Sequence, residues 1–339
     1  RERVLSYLDA GSLRAVVGLV DTHLLARHLG GLLERGFGAL VDAGRTADLA
    51  RLATLAARVD GTEEVRRAFG AHAKARALAV VAEESEEKDK RLVDDLLAFK
   101  AAYDGLVEGA FGRGGGFAAV LRTAGEYAVN ARDNKPAELL AKYVDGLMKA
   151  GAKRVGSDEE VEGVLDRVMV LFRCIHAKDV FEGFYKKDLA KRLLLHKSAS
   201  TDTERAMVSK LKGECGANFT AKLEGMFQDM AASEQLMAAF SASPHAAAAA
   251  AGGDFTATVL TSSYWPPYTS PAITLPPELA PAVDAFMAFY NGRHGTTRRL
   301  AWQHQLWQCL LKATFPGGRK ELEVSTYQAL VLLMFNRAA

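Results

Sequence analysis

Residues 178–230 read KDVFEGFYKKDLAKRLLLHKSASTDTERAMVSKLKGECGANFTAKLEGMFQDM, and this stretch decides the fold. Phe181, Tyr185, Leu189 and Leu193 recur every four residues with Phe184 beside them, which lines one face of a helix. Thr201-Asp202-Thr203-Glu204 has the spacing of a capping box, in which the Thr201 hydroxyl and the Glu204 carboxylate each satisfy a free backbone N–H, so a second helix is expected to start there. Met207, Val208, Leu211 and Cys215 share its apolar face, and Gly216 follows where a helix end favours positive φ. Leu223, Met226, Phe227 and Met230 give a third stripe at i, i+3, i+4 and i+7.

None of these one-faced helices is stable alone, so they must pack on each other and on a neighbour. Just upstream, Ser157-Asp158-Glu159-Glu160 repeats the capping-box spacing. Val161, Val164, Leu165, Val168, Leu171, Phe172 and Ile175 follow at helical spacing. Four amphipathic helices joined by short loops predict a helical bundle over residues 140–250.

Residues 1–139 read as further stacked helices, a solenoid-like repeat. Leu24, Leu25, Leu29, Leu32 and Leu33 form one stripe, Leu49, Leu52, Leu55, Ala56 and Val59 another, and Val65, Phe69 and His72 begin a third. The charge run from Glu83 to Arg91 precedes Leu92, Val93, Leu96 and Leu97, and reads as a solvated helix start. Beyond Ser241 the six alanines at 246–251 and Gly252-Gly253 read as a low-complexity connector. The period then changes to two. Phe255, Ala257 and Val259 alternate as in a strand, as do Leu300 with Trp302, Cys309, Leu311, Ala313 with Phe315, and Leu322 with Val324. A helix is expected over 277–290, a hairpin turn at Pro316-Gly317-Gly318, and a final helix capped by Ser325 or Thr326. The fold class is therefore mainly α with a small α+β domain. A stacked-helix repeat (1–139) leads to a four-helix bundle (140–250), then to a small, mostly antiparallel sheet with helices (251–339).

The 339 residues are 49% hydrophobic and 25% charged, as in a globular protein, with a formal charge of +2 that gives no global reason to expect nucleic acid or membrane partners. No apolar run reaches membrane-spanning length. Cys174, Cys215 and Cys309 are far apart and form no CxxC pair, which argues against a disulfide framework or zinc site and for a reducing compartment, nucleus or cytoplasm. The eight histidines include no HxxxH or HExxH, and no GxSxG elbow occurs. Gly112-Arg113-Gly114-Gly115-Gly116 lacks the Lys and the preceding strand of a phosphate loop. No catalytic residues, metal or cofactor are expected.

Three blocks together resemble the cullin family, the scaffolds of RING-type ubiquitin ligases. They are Lys178 to Met230, Asn134-Lys135-Pro136-Ala137-Glu138-Leu139-Leu140-Ala141-Lys142-Tyr143, and Thr326-Tyr327-Gln328-Ala329-Leu330-Val331-Leu332-Leu333-Met334-Phe335-Asn336. The wording of Lys186 to Arg192, of Lys222 to Phe227 and of Tyr264-Trp265-Pro266 is most similar to the cullin-4 branch. The resemblance implies a central-to-C-terminal fragment of a non-catalytic scaffold. Two helical repeats that take up a substrate adaptor would precede it, and a winged-helix region with the lysine that accepts a ubiquitin-like modifier would follow.

It also implies two binding regions. The α+β domain would take a strand of a RING-box protein into its sheet, with Leu300, Trp302, Leu311, Ala313, Phe315, Leu322 and Val324 framing the joint layer. On the alternative reading these side chains pack only against the domain's own helices. Lys186, Lys187, Lys191, Arg192 and Lys197 crowd one helix and its end. They either complement the helix dipole or, as the resemblance implies, draw in an acidic segment of a ubiquitin-conjugating enzyme, which the RING-box protein would otherwise hold indirectly. A different class of function, a helical-solenoid interaction platform unrelated to ubiquitin transfer, is compatible with the first 135 residues alone, and the blocks from Lys135 to Asn336 argue against it.

Overall fold

A computed structural model describes residues 6–7, 9, 11–112, 116–250, 253–269, 271–295 and 297–337. Residues 113–115 of the glycine-rich run lie outside the described residues. The chain groups into two compact units, Arg1–Asp188 with Lys197–Glu214, and Leu189–His196 with Cys215–Ala339.

In the first unit, helices α1 (Ser12–Val20), α2 (Thr46–Ala57), α3 (Thr62–Ala82), α4 (Glu86–Leu106), α5 (Phe117–Val129), α6 (Lys135–Ala150) and α7 (Asp158–Cys174) follow in order. Helix α8 (Lys178–Leu194) begins here, and α9 (Thr201–Cys215) follows it. Val65, Phe69, Ala73, Ala77 and Val81, four apart, make the buried stripe of α3. It packs against α5, where Phe117, Leu121, Ala124 and Ala128 are buried. The Phe69 ring meets those of Phe111 and Phe117 edge-on, at 5.4 and 5.7 Å between centroids. The charge run is the solvated start of α4, as its composition predicts, and Ser85 caps it by accepting from the Lys88 N–H.

The leucine stripe near residue 30 departs from the expected 3.6 period. Asp21–Ala26 and Leu33–Phe37 are π-helical, so Leu29, Leu33 and Phe37 are buried while Leu24 and Leu32 point outward. Ser157 caps α7 as expected, accepting from the Glu160 N–H at 3.2 Å. The expected box on α9 is different. Ser200 is the cap, accepting from the Thr203 N–H. Glu204 is buried and accepts the Ser198 hydroxyl at 2.7 Å, so its carboxylate turns to that partner.

In the second unit, Gly216 takes φ +84° and opens the 25-residue helix α10 (Ala217–Ser241). Within the low-complexity connector, His245–Ala250 form a short helix, α11, consistent with alanine's high helix propensity, and residues 251–252 lie outside the described residues. Ala249 joins a core with Phe240 of α10 and Ala282, Ala285, Phe286 and Tyr290 of α12 (Ala280–His294). Strands β1 (Gln308–Phe315) and β2 (Gly318–Ser325) pair antiparallel, with Cys309 opposite Val324 and Leu311 opposite Leu322. Helix α13 (Thr326–Met334) packs on the hairpin. Ser325 and Gln328 form a full capping box at its start.

Two of the expected strands are absent. Phe255, Ala257 and Val259 do pack inward in alternation, but their backbone pairs with side chains of α10 instead of with a strand. The Ala257 N–H donates to Met237 Sδ at 3.4 Å and the Val259 N–H to Ser233 Oγ at 2.9 Å. Ser233 returns its proton to the Val259 carbonyl at 3.0 Å, and the Thr261 N–H donates to Asp229 Oδ2 at 2.6 Å. Residues Leu300 to Gln303 are likewise not a strand. Leu300 and Trp302 pack on the core formed by α10 and α12, with the Trp302 ring 5.9 Å from that of Phe286.

Candidate interaction site

The hairpin brings five of the seven residues expected at the sheet together. Its register puts Leu311, Ala313, Phe315, Leu322 and Val324 on one face, with Cys309 beside Val324. That face is half-buried from Cys309 to Ala313, while Phe315 at the turn is 48% exposed. Leu310, Lys312, Thr314, Arg319, Glu321 and Glu323 form the opposite, exposed face. Among the described residues β1 and β2 have no strand partner but each other, so each carries an outer edge with an unpaired row of backbone groups. Helix α13 covers one side of the hairpin from Thr326 and Ala329, both fully buried, and leaves Val331, Leu332, Met334 and Phe335 exposed. Burial pushes the Cys309 thiol pKa up, and its hydrogen bond with Thr326 partly offsets this.

Trp302 and Leu300 belong to a different surface. Trp302 meets the Trp307 ring edge-on at 5.3 Å, and Trp307 accepts the Thr326 N–H and hydroxyl through its carbonyl, each at 3.3 Å. Trp302, through Trp307, therefore links the hairpin to the helical core, and Leu300 packs on that core, so neither lines the hairpin's own face.

The basic residues separate by exposure. Lys187, Lys191 and Lys197 are exposed and Lys186 is half-buried. Arg192 is fully buried, the largest such side chain among the described residues, so it has no surface to offer a partner. It lies on the stripe of Leu189 and Leu193, where the helix faces the core.

A groove of about 390 Å³ lies between α4 and α6, lined by Glu86, Asp89, Lys90, Lys135, Lys142 and Tyr143 among others. Its charges are matched in pairs, Lys90 with Glu86 at 2.9 Å and Lys142 with Glu138 at 2.5 Å. The hydrogen bond from Lys142, chiefly, holds the Glu138 carboxyl below the usual carboxylate range, and Glu138 in turn raises the Lys142 ammonium. Both shifts favour the charged forms, the reverse of what acid–base chemistry at neutral pH requires. Among the described residues no group of three or more His, Cys, Asp or Glu could hold a metal ion, and no helix is long and apolar enough to cross a membrane.

Sequence reading missed a stripe on α10 made of Gly225, Asp229, Ser233 and Met237. Asp229 also accepts the Thr261 hydroxyl at 2.8 Å and the buried Trp265 indole N–H at 2.7 Å. Gly225 lies under Tyr264, whose ring carbons would sit 2.5–2.7 Å from any added Cβ. The signal was present as Gly225, Asp229 and Ser233, small or polar residues recurring every fourth position of a helix. It was hidden because the apolar stripe of Leu223, Met226 and Met230 runs beside it.

A run of stacked helices followed by a small α+β element is the class of protein that this fold defines. Residues 1–237 match a family model described as the cullin alpha solenoid domain, and residues 259–339 match one described as the cullin alpha+beta domain. The chain is 45% identical over 336 residues to Cullin-4A of Mus musculus, covering 99% of this chain and 44% of that protein. It is 39% identical over 335 residues to Cullin-4 of Dictyostelium discoideum, covering 99% of this chain and 41% of that one. It is 38% identical over 345 residues to Cullin-3A of Arabidopsis thaliana, with 99% and 46% covered. The chain belongs to the cullin family. It spans less than half the length of these relatives.

Proposed function

We propose that this chain is the central-to-C-terminal part of a non-catalytic scaffold in a multi-subunit cullin–RING ubiquitin ligase. The hairpin supports this reading. An apolar, half-covered face flanked by free strand edges suits the addition of a strand from another chain, whose backbone supplies affinity and whose alternate side chains complete the layer. A RING-box subunit would occupy this edge and hold a ubiquitin-conjugating enzyme. A substrate adaptor would bind helical repeats outside this chain. The scaffold then acts by raising the effective concentration of the charged enzyme at the substrate lysine. Lys187, Lys191 and Lys197, with less from Lys186, would attract an acidic segment of the conjugating enzyme and raise its on-rate. Such a complex would work in nucleus and cytoplasm.

The test is co-expression with a RING-box protein followed by size-exclusion chromatography. A stoichiometric complex, lost when the partner's N-terminal strand is deleted or when Leu311→Glu is introduced, is the expected result. A complex that survives both changes would overturn the assignment of the hairpin.

A further inference from the structure

Resting on that functional reading, we propose that the stripe Gly225–Asp229–Ser233–Met237 sets the position of the hairpin-bearing element on α10, and that Asp229 is its positioning residue. The geometry is a match of two periods. Four residues of α-helix rise about 6.0 Å, and two residues of extended chain advance about 6.6 Å. An extended segment laid antiparallel along a helix can therefore place every second N–H opposite every fourth side chain. The chain does this over three rungs, 257 to 237, 259 to 233 and 261 to 229. The mismatch accumulates at about 0.6 Å per rung, which limits such a ladder to a few rungs.

At the third rung the pattern ends in a clamp. Asp229 takes three donors at once, the Thr261 N–H, the Thr261 hydroxyl and the Trp265 indole, at 2.6, 2.8 and 2.7 Å. A carboxylate has the lone pairs to accept all three, and an amide in its place has only one acceptor oxygen. One helical turn further on, Gly225 lets the Tyr264 ring lie against the helix. A slip of the segment by one residue would turn Val259 outward and bring Tyr264 off Gly225, so a single register is allowed. The same segment leads to α12 and the hairpin. A second route returns from the hairpin to α10 through Thr326, Trp307, Trp302, Phe286 and Phe240, successive pairs of which are hydrogen-bonded or have ring centroids 5.2–5.9 Å apart. From Trp307 to Phe240 that route consists of ring contacts, which do not fix a backbone register. The ladder specifies register, and Asp229 accepts three of its six bonds.

The experiment uses the chain in complex with the RING-box protein and compares wild type, Asp229→Ala and Asp229→Asn. Three readouts are taken: amide hydrogen exchange at Ala257, Val259 and Thr261, ubiquitin discharge to free lysine, and ubiquitin transfer to an acceptor peptide fused ahead of Arg1. Discharge to free lysine does not depend on where the scaffold points, whereas transfer to the fused acceptor does. For Asp229→Ala, exchange at Thr261 should accelerate by about tenfold or more. Discharge should be unchanged, and transfer to the fused acceptor should fall at least about threefold. Asp229→Asn, which retains one acceptor, should lie between. Unchanged exchange would overturn the ladder, and faster exchange with an unchanged ratio of the two reactions would overturn the positioning role. If the wild-type chain takes up no RING-box protein, the functional reading fails, and the positioning role falls with it.

Discussion

Replacing Ser233 by alanine isolates the middle rung of the α10 ladder. The serine is buried, and its hydroxyl makes two bonds with one residue, accepting from the Val259 N–H at 2.9 Å and donating to the Val259 carbonyl at 3.0 Å. Ser233→Ala removes both without leaving a cavity larger than one oxygen atom. Each neutral hydrogen bond contributes about 0.5–1.5 kcal/mol net, so the loss is about 1–3 kcal/mol. Alanine is the better helix former by about 0.5 kcal/mol. The net expectation is a destabilisation of about 0.5–2.5 kcal/mol. Ser241→Ala, at the exposed end of the same helix, gains propensity and loses no such pair, so it should be neutral or slightly stabilising. Urea unfolding followed by tryptophan fluorescence reads the local environment, because Trp265 is buried beside the next rung at Asp229. A Ser233→Ala midpoint equal to or above that of Ser241→Ala would refute the claim that this hydroxyl replaces a strand partner.

Gly225→Ala should cost about 1–3 kcal/mol through the clash with the Tyr264 ring, and in a Tyr264→Ala background its sign should reverse, with the methyl group stabilising the helix by up to about 1 kcal/mol in the same urea assay. Burial pushes the Tyr103 phenol up to about 12, with the Asp42 charge adding to it. An unfolded tyrosine ionises near about 10, so the unfolded state releases its proton first. The stability this group confers is complete below pH 10 and is lost between there and about 12, which the difference in denaturation midpoints between wild type and Tyr103→Phe would record. Burial, with the nearby Glu126 carboxylate, raises the Cys174 thiol, so its reaction with a disulfide reagent near pH 8 should be much slower in the folded chain than in urea, as timed by thiolate release.

The helices were legible where one period dominated. Phe181, Tyr185 and Leu189, four apart, are all fully buried, as are Met207, Leu211, Leu223 and Met226. Caps were legible to within a residue, but the Thr201 box was not. Ser200 and Thr201 compete there as neighbouring hydroxyl residues, and the choice of Ser200 follows from Glu204 turning inward to Ser198, which only tertiary structure decides. The hairpin face was legible because alternation and the Pro-Gly-Gly turn agree. The missing strands show the limit of that signal. Alternation at Phe255, Ala257 and Val259 reports that every second side chain is buried, and it is silent on what satisfies the backbone. Here a helix satisfies it. Arg192 failed as a surface residue for the complementary reason: its neighbours Lys191 and Lys197 are charged, but its place on the stripe of Leu189 and Leu193 faces inward.

The proportions of the hairpin bear on what it does. An isolated two-stranded hairpin is marginal in water, and a third strand or a packed helix is needed to hold it. Helix α13 supplies that support through Thr326 and Ala329, near the strand ends close to Trp307. Toward the turn the support fades: Leu311 and Ala313 are half-buried, and Phe315 is 48% exposed. The end farthest from α13 thus presents apolar side chains together with unpaired strand edges. Lys312, Arg319 and Lys320 near the turn supply charges of the kind that keep such an edge from pairing with copies of itself. A partner strand that brings both backbone and apolar side chains would satisfy the edge and cover the face in one step. Substitution of Phe315, which is 48% exposed, should therefore affect uptake of such a strand more than the chain's own stability.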